Sequence, residues 1–523
     1  MKRLALLWLV PAVCVVAQSV DFSNSARVGE LIRAGNMYLS LEDAIALALE
    51  NNLDIELQRY ALKVTRTELG RTAGGGVTRG VLFTVAEAPA GVGGPLSSLL
   101  TTPAVLGRAT ANSSVAANAV ALSVLNGTTT NYSVQGTVAQ SLGPALPSFD
   151  PSVTGQLAFS HQTAPQTAFS NVGTNTLISN IANANAGVQQ SFFTGGTAGL
   201  SFINNRQSLN SIKTDYNPFT GSSLGFTVTQ PLLRGFGPAL NRRFIRIAAN
   251  EQRISSLIFR QQLMATVYGV VRLYTDLAAL YEDEKVKAET LRLAEKLYSD
   301  VKAQVEEGTL APVELTRASA QISSTRQDLI NASGLREEQE AILKNVITRQ
   351  GHEDAAVRAA RIVPTGTLAV PETEEVRPVQ DLMADAISNR PDMAQAGVQI
   401  ENSRIGLVGA RNLTLPQVDI VGTVQNNGAA GAANQYGPLN NGTFLNGYGG
   451  LLDQIFTRKY PAYGIGLNVT LPIRNRVAEA DLARDELQVK QSEIRLRQLQ
   501  NQARLEVQDA LIAMKRARAA YDA

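Results

Sequence analysis

The stretch "SSLGFTVTQPLLRGFGPALNRR", residues 222–243, reads as a strand that stops at Pro231, a glycine-rich corner and the start of a helix. The segment "AYGIGLNVTLPIRNRVAEA", residues 462–480, repeats that order. Pro231 and Pro472 stand 241 positions apart (472 − 231). At that offset Gly225 falls on Gly466, Phe226 on Leu467 and Val228 on Val469. A second pair keeps the same order. "LSLEDAIALALENNLDIELQRYALKVTRTELGRTA", residues 39–73, has a helical pattern: Ser40 can cap it, Asp43 follows three residues on, and Leu41, Ala44, Ile45, Ala48 and Leu49 share a face. From Val379, "VQDLMADAISNRPDMAQAGVQIENSRIGLVGARN" places Asp381, Ala386, Asn389 and Asp392 where the first segment has Asp43, Ala48, Asn51 and Asp54. Two ordered repeats mean an internal duplication, each half running from helices through strands to a long helix.

Composition narrows the class. Over 523 residues the net charge is +2, without the concentrated basic surface of a nucleic-acid protein. The two histidines, His161 and His352, have no ligand spacing, and no phosphate loop, serine elbow or paired metal motif is present. The reading is therefore not an enzyme, with no cofactor and no metal; Glu306 and Glu307 are solvated helix-end carboxylates. Lys2 and Arg3 precede an apolar run that ends in Val15, Val16 and Ala17, the form of a secretory signal peptide cleaved near Ala17. The alternatives are an N-terminal anchor, or a lipidated Cys14, against which the bulk of Val13 counts. Cys14 is the single cysteine, so the exported chain would have no disulfide. No later segment reads as a transmembrane helix. An exported chain of this kind is either soluble or an outer-membrane β-barrel.

The strand region points to the barrel. Between Arg108 and Arg206 the single Asp, Glu, Lys or Arg is Asp150. "SVTGQLAFSH" (152–161), "GTAGLSFINN" (196–205) and "LGFTVTQ" (224–230) alternate with period two, and "PQVDIVGTVQN" (416–426) and "YGIGLNVTLP" (463–472) follow in the second half, separated by a Gly/Asn-rich loop. One apolar and one small or polar face suit a wall between lipid and lumen. For "ATANSSVAANAVALSVLNGTTTNY" (109–132) a low-complexity linker reads as well as a strand.

After each corner comes a very long helix. From Asn241 to Glu306 there is no proline and one glycine, Gly269, giving roughly 100 Å at ~1.5 Å per residue. Val267, Val270, Tyr274, Leu277, Tyr281, Ala288 and Leu291 alternate three and four apart, with Glu284 breaking the series, the spacing of a coiled coil that needs partners. The helix stops at "EEGTLAPVELTRASAQ", where Gly308 can take the left-handed cap and Pro312 can open the next helix, which runs to about Gln350. The result is an αα-hairpin with its tip at residues 307–312.

With these motifs in place, the chain resembles a TolC-family outer-membrane efflux protein. The resemblance rests on the two helical openings, the corners "FTVTQPLLRGFG" and "LNVTLPIRNR", and the tip, and covers most of residues 39–73 and 222–523. It implies a mixed α and β membrane protein: long coiled hairpins forming a periplasmic α-barrel, and a few strands per chain contributing to a trimeric transmembrane β-barrel. It implies a homotrimer, outer-membrane lipid around it, a periplasmic adaptor protein, an inner-membrane pump, and a role as a passive exit duct in efflux or type I secretion, located in the bacterial outer membrane with a periplasmic extension. One chain offers four to six strands, fewer than the ~8 a barrel needs, so three chains would give 12 or 18. The tip Glu307, Gly308, Thr309, Leu310, Ala311 and Pro312 is the expected adaptor-docking site, the alternative being helix punctuation alone. Pro231, Gly235, Gly237 and Pro472 form the strand-to-helix corners.

The expected organisation is a signal peptide at 1–17, opening helices at 18–73, a low-complexity insert at 74–147, barrel strands and loops at 148–231 and a helical hairpin at 232–350. An equatorial linker at 351–378, a second opening helix at 379–415, strands at 416–472 and a descending helix at 473–523 follow. The insert has no counterpart in the family. A second tip is expected near position 549 (308 + 241), beyond Ala523, which reads as a truncated record; acidic gating residues belong near it in the family, so none is assigned. The competing function is a structural or adhesive envelope protein with a coiled-coil stalk, which needs neither an open lumen nor a docking tip.

Overall fold

The computed structural model describes residues 22–80, 84–86, 89, 91–92, 131–133, 143–366, 377–435 and 442–523. The signal peptide at 1–17 and nearly all of 109–132 lie outside the described residues, as does most of the 74–147 insert. In chain order the elements are α1 (Ala26–Leu31), β1 (Ile32–Arg33), β2 (Asn36–Leu39), α2 (Leu41–Asn51), α3 (Leu53–Ala73), β3 (Thr84–Ala86), β4 (Asn131–Ser133), β5 (Ser152–Pro165), α4 (Phe169–Val172), β6 (Thr176–Ser191), β7 (Thr197–Leu209), β8 (Tyr216–Pro231) and α5 (Pro238–Asn241). They continue with α6 (Arg243–Glu306), α7 (Pro312–Ile347), α8 (Ala355–Ala359), β9 (Arg361–Pro364), α9 (Val379–Asn389), α10 (Pro391–Leu413), β10 (Gln417–Ala433), α11 (Tyr448–Phe456), β11 (Tyr460–Thr470) and α12 (Arg476–Asp522).

The helical openings form as their patterns require. Ser40 caps α2: its Oγ accepts from Asp43 N at 3.1 Å and donates to Asp43 Oδ2 at 2.7 Å. A one-residue break at Asn52 separates α2 from α3, and a matching break at Arg390 separates α9 from α10. Each opening is thus an 11-residue helix followed by a longer one.

The chain divides into two compact units. The first comprises residues 1–58, 84–132 and 261–374. Its centre is a three-stranded sheet, β1-β2-β9, with β2 and β9 parallel. Met37 and Leu39 of β2, Ile362 of β9, Leu47 of α2, and Leu343 and Ile347 of α7 are fully buried there. Val270, Leu273, Tyr274 and Leu277 of α6 complete this core. Part of the seven-residue stripe therefore packs inside the chain. The expected partners of that stripe were other coiled helices; for this part of it a sheet built from segments far apart in sequence supplies the partner. Among the described residues α6 is the one helix long and apolar enough to cross a membrane by length and composition, and its buried stripe serves this core. The 351–378 segment is more than a linker, since it contributes α8 and β9 to the unit.

The second unit comprises residues 59–83, 133–260 and 375–523. It holds a six-stranded sheet in the order β11-β10-β8-β7-β6-β5, every neighbour antiparallel. The two strands that end in the repeated corners, β8 and β11, flank β10 on opposite sides. The "SFFTGGTAGLSFINN" hairpin supplies the β6–β7 turn, so the count is six strands, the larger of the two expected. Beside the sheet α10 packs on α12, with Arg404 to Glu493 at 2.8 Å and Arg411 to Glu486 at 3.4 Å.

Candidate functional site

The sheet has two chemically distinct faces. Cross-strand register places Val153, Val188, Leu200, Phe226, Val424 and Tyr463 in one unbroken row, one residue from each strand. All six side chains are exposed, from 44% for Val188 to 85% for Tyr463. Successive residues point to opposite faces, so the two flanking rows lie on the other side. One is Ser152, Gln189, Gly199, Thr227, Thr423 and Gly464; the other is Thr154, Gly187, Ser201, Gly225, Gln425 and Ala462. Around these rows one face is mostly Val, Leu, Ile, Phe and Ala; the other is mostly Ser, Thr, Asn, Gln and Gly, with Ile203 and Val421 among them. Across all six strands the charged residues are Arg206 and Asp419. A continuous exposed apolar row marks a surface that meets lipid or another protein; a barrel wall presents such a row to lipid and its polar face to a lumen.

Among the described residues the two edges of this sheet are β5 and β11, and each has one side with no strand paired to it. With an even number of antiparallel strands, β5 and β11 run in opposite directions. The β5 edge of one copy can therefore accept the β11 edge of another and continue the antiparallel pattern. Six strands are too few to close on themselves, since barrels need ~8 or more.

The corners are built differently from one another. At the first, β8 ends on Pro231, and Gly235 and Gly237 adopt φ of 85° and 111°, which only glycine tolerates readily. Asn241 Nδ2 donates to the carbonyls of Gly235 at 3.0 Å and Gly237 at 3.1 Å, closing the turn before α6. At the second, β11 ends at Thr470, two residues before Pro472, and a short exposed segment with Ile473 fully exposed leads to α12. The repeat conserves the order of elements, while the left-handed glycines belong to the first corner alone.

At the tip, Gly308 has φ 76° with open space where a Cβ would lie. Gly308 N donates to Val305 O at 3.1 Å and Thr309 N to Gln304 O at 2.9 Å, the paired bonds of a Schellman ending. Ala311 precedes Pro312, which stands in the first turn of α7. Glu307, Gly308, Thr309, Ala311 and Pro312 are exposed and Leu310 is half-buried. Val313, 63% exposed, is a second apolar side chain here that sequence reasoning passed over. Its signal was its position directly after Pro312, where a solvated helix start favours a polar residue.

Near the start of α6, Glu251 is buried and its Oε2 has no hydrogen-bond partner. Burial, and then the nearby Glu68 carboxylate, push its pKa up to about 7. The folded state therefore binds the proton more tightly than the unfolded chain does. Stability is greatest below pH 4.5 for this group and falls as pH rises toward 7. Glu251→Gln should stabilise the protein by up to about 3 kcal/mol at pH 8 and by nothing near pH 4, read from unfolding midpoints at the two pH values. Among the described residues no group of three or more His, Cys, Asp or Glu is placed to hold a metal ion.

Residues 182–348 match the family described as outer membrane efflux protein. The match runs from within β6 through the first corner and both arms of the hairpin. Among solved structures, the Campylobacter jejuni CmeC outer membrane channel is similar over 96% of this chain and 79% of its own, at 14% identity and a TM-score of 0.51. A membrane protein from Pseudomonas aeruginosa is similar over 96% of this chain and 82% of its own, at 12% identity and a TM-score of 0.52. These likenesses concern the fold. No curated protein matches the chain.

Proposed function

We propose that this chain, whose residues 182–348 match the outer membrane efflux protein family, is a TolC-like outer-membrane duct of a tripartite exporter. Three copies join edge to edge, β5 to β11, and their six strands each make an eighteen-stranded barrel in the outer membrane. A barrel of that size leaves an aqueous channel. The long helices carry the duct into the periplasm, where the hairpin tip meets an adaptor protein and, through it, an inner-membrane pump. The duct is passive. Its wall offers hydroxyls, amides, backbone and a single carboxylate per chain, Asp419, to whatever passes, so choice of cargo belongs to the pump. The observation that carries this reading is the uninterrupted apolar row backed on both sides by polar rows. The test is planar-bilayer recording of the protein extracted from outer membranes: wide, long-lived steps from a species that native mass spectrometry reports as a trimer. A trimer that inserts without conducting would instead indicate an envelope stalk.

The tip carries its own prediction. Leu310→Asp leaves Gly308 and Pro312 in place, so trimers should still form in the membrane while export and crosslinking to the adaptor are lost. Gly308→Val acts otherwise: it forces a β-branched residue into left-handed backbone at a cost of about 1–2 kcal/mol and loosens the turn itself. Should Leu310→Asp export normally while Gly308→Val does not, the tip is helix punctuation and docking lies elsewhere.

A further inference from the structure

The chain between β10 and β11 folds back on the sheet through α11, and it does so on the apolar face. Gly428 of β10 shows which face is covered: a Cβ there would approach Leu451 O to 2.5 Å and Ile455 Cγ1 to 2.9 Å. Leu451 and Ile455 are buried with Ala430, and Phe202, Leu224 and Leu452 pack against them. Leu224 and Phe202 belong to the same face as the apolar row, two residues farther from the first corner. The Gln454 side chain fixes the helix to the strand, donating to Ala429 O at 3.1 Å and accepting from Ala429 N at 3.0 Å. Beneath the helix the strands turn polar, with Ser222 Oγ donating to Asn204 Oδ1 at 2.5 Å. The helix therefore roofs the level at which the lipid-facing wall loses its apolar side chains.

The rest of α11 sorts into two stripes. Tyr448, Leu452 and Phe456 recur every four residues, and Phe456 is 72% exposed. Gly449, Asp453 and Thr457 form the stripe beside them. Arg458 and Lys459 follow at once, both exposed. Arg206, the one charged side chain on this face of the sheet, is exposed and aligned through Thr220 with Ala430, under the helix. Apolar stripe, polar stripe and adjoining cations are the three parts of a helix that lies in a membrane interface.

We propose that α11 clasps the outer leaflet from outside the barrel. Tyr448, Leu452 and Phe456 enter the acyl chains, while Arg206, Arg458 and Lys459 bind anionic phosphate headgroups. The inference rests on the duct reading, in which the apolar face meets lipid. The test uses the full chain with Trp8→Phe, reconstituted in vesicles of phosphatidylcholine with brominated acyl chains, carrying one new tryptophan at a time. Leu157→Trp reports on the strand wall and Phe456→Trp on the helix. The expected result is that both lose most of their emission to the brominated lipid. Quenching at 157 without quenching at 456 overturns the clasp and leaves the wall intact. Quenching at neither overturns the wall and the clasp together. The headgroup half has its own readout, since phosphatidylglycerol in unbrominated vesicles should raise the thermal midpoint above that in phosphatidylcholine alone. Arg458→Gln with Lys459→Gln should abolish that rise; a rise that persists in full, or is reproduced by free inorganic phosphate, overturns the headgroup assignment.

Discussion

In the proposed trimeric barrel, Ile465→Arg should destabilise the assembly by about 2–4 kcal/mol per chain, whereas Asn468→Arg, three residues along the same strand, should leave it intact. The two positions differ only in the face they occupy. Ile465 is the central residue of β11, 80% exposed, opposite Gly422 and in line with the apolar face of β10. A guanidinium there would sit among acyl chains, and a ring of three copies repeats the cost three times. Asn468 lies on the polar face, directly opposite Asp419. A cation at 468 meets water and a carboxylate across the strand pair, a favourable arrangement. Asp419 is the one charged residue on that face of the sheet, so Asn468→Arg also cancels the charge of the wall. The reversal potential under a salt gradient should shift from cation preference toward none. Equal loss of heat-resistant trimer in the two variants would contradict the assignment of faces.

What the sequence disclosed, and what it withheld, follows from how local each signal is. The corner at Pro231, the turn between α6 and α7 and the cap at Ser40 rest on residues within one turn of each other and fall where the pattern puts them, while α7 ends at Ile347, three residues short of Gln350. Five of the six strands of the large sheet were legible because alternation is itself local; β6, rich in Ala and Asn, was touched only through the hairpin that follows it. The β1-β2-β9 sheet was not: its strands are two and four residues long, and Asn36–Leu39 pairs with Arg361–Pro364 from the far side of the hairpin. That pairing also took part of the seven-residue stripe of α6 out of the coiled-coil inventory. Helix α11 was hidden by its setting, a Gly/Asn-rich loop. The spacing of Leu451 with Ile455 and of Leu452 with Phe456 was the available sign. The tip was recognised as a turn from Gly308 and Pro312, but Val313 became visible only with its exposure.

The buried charges of the first unit were equally out of reach of local reasoning, and they carry the other large effect. Arg336→Met should cost about 3–5 kcal/mol of local stability, the penalty for leaving a buried partner unpaired. Arg336 is buried on α7, with Nε donating to Glu284 Oε2 of α6 at 2.7 Å and Nη1 donating to Glu340 one turn on. Glu340 in turn accepts from Ile362 N of β9 at 3.2 Å, and Arg361 Nη2 reaches Glu284 Oε2 at 3.3 Å. One guanidinium thus neutralises two carboxylates, and those carboxylates join both helices of the hairpin to the sheet. Removing it takes from Glu340 its buried guanidinium partner and leaves Glu284 with Arg361 alone, and it loosens the carboxylate that accepts from Ile362 N of β9. The consequence is local opening, so the measurement is amide exchange: protection across residues 340–364 should fall by about two to three orders of magnitude, while the barrel strands keep theirs. Adding Glu340→Gln and Glu284→Gln to Arg336→Met should recover most of the loss, because the two side chains that Arg336 served are then neutral. If the triple variant stays as open as the single one, packing of the Arg336 stem rather than its charge holds the base of the hairpin.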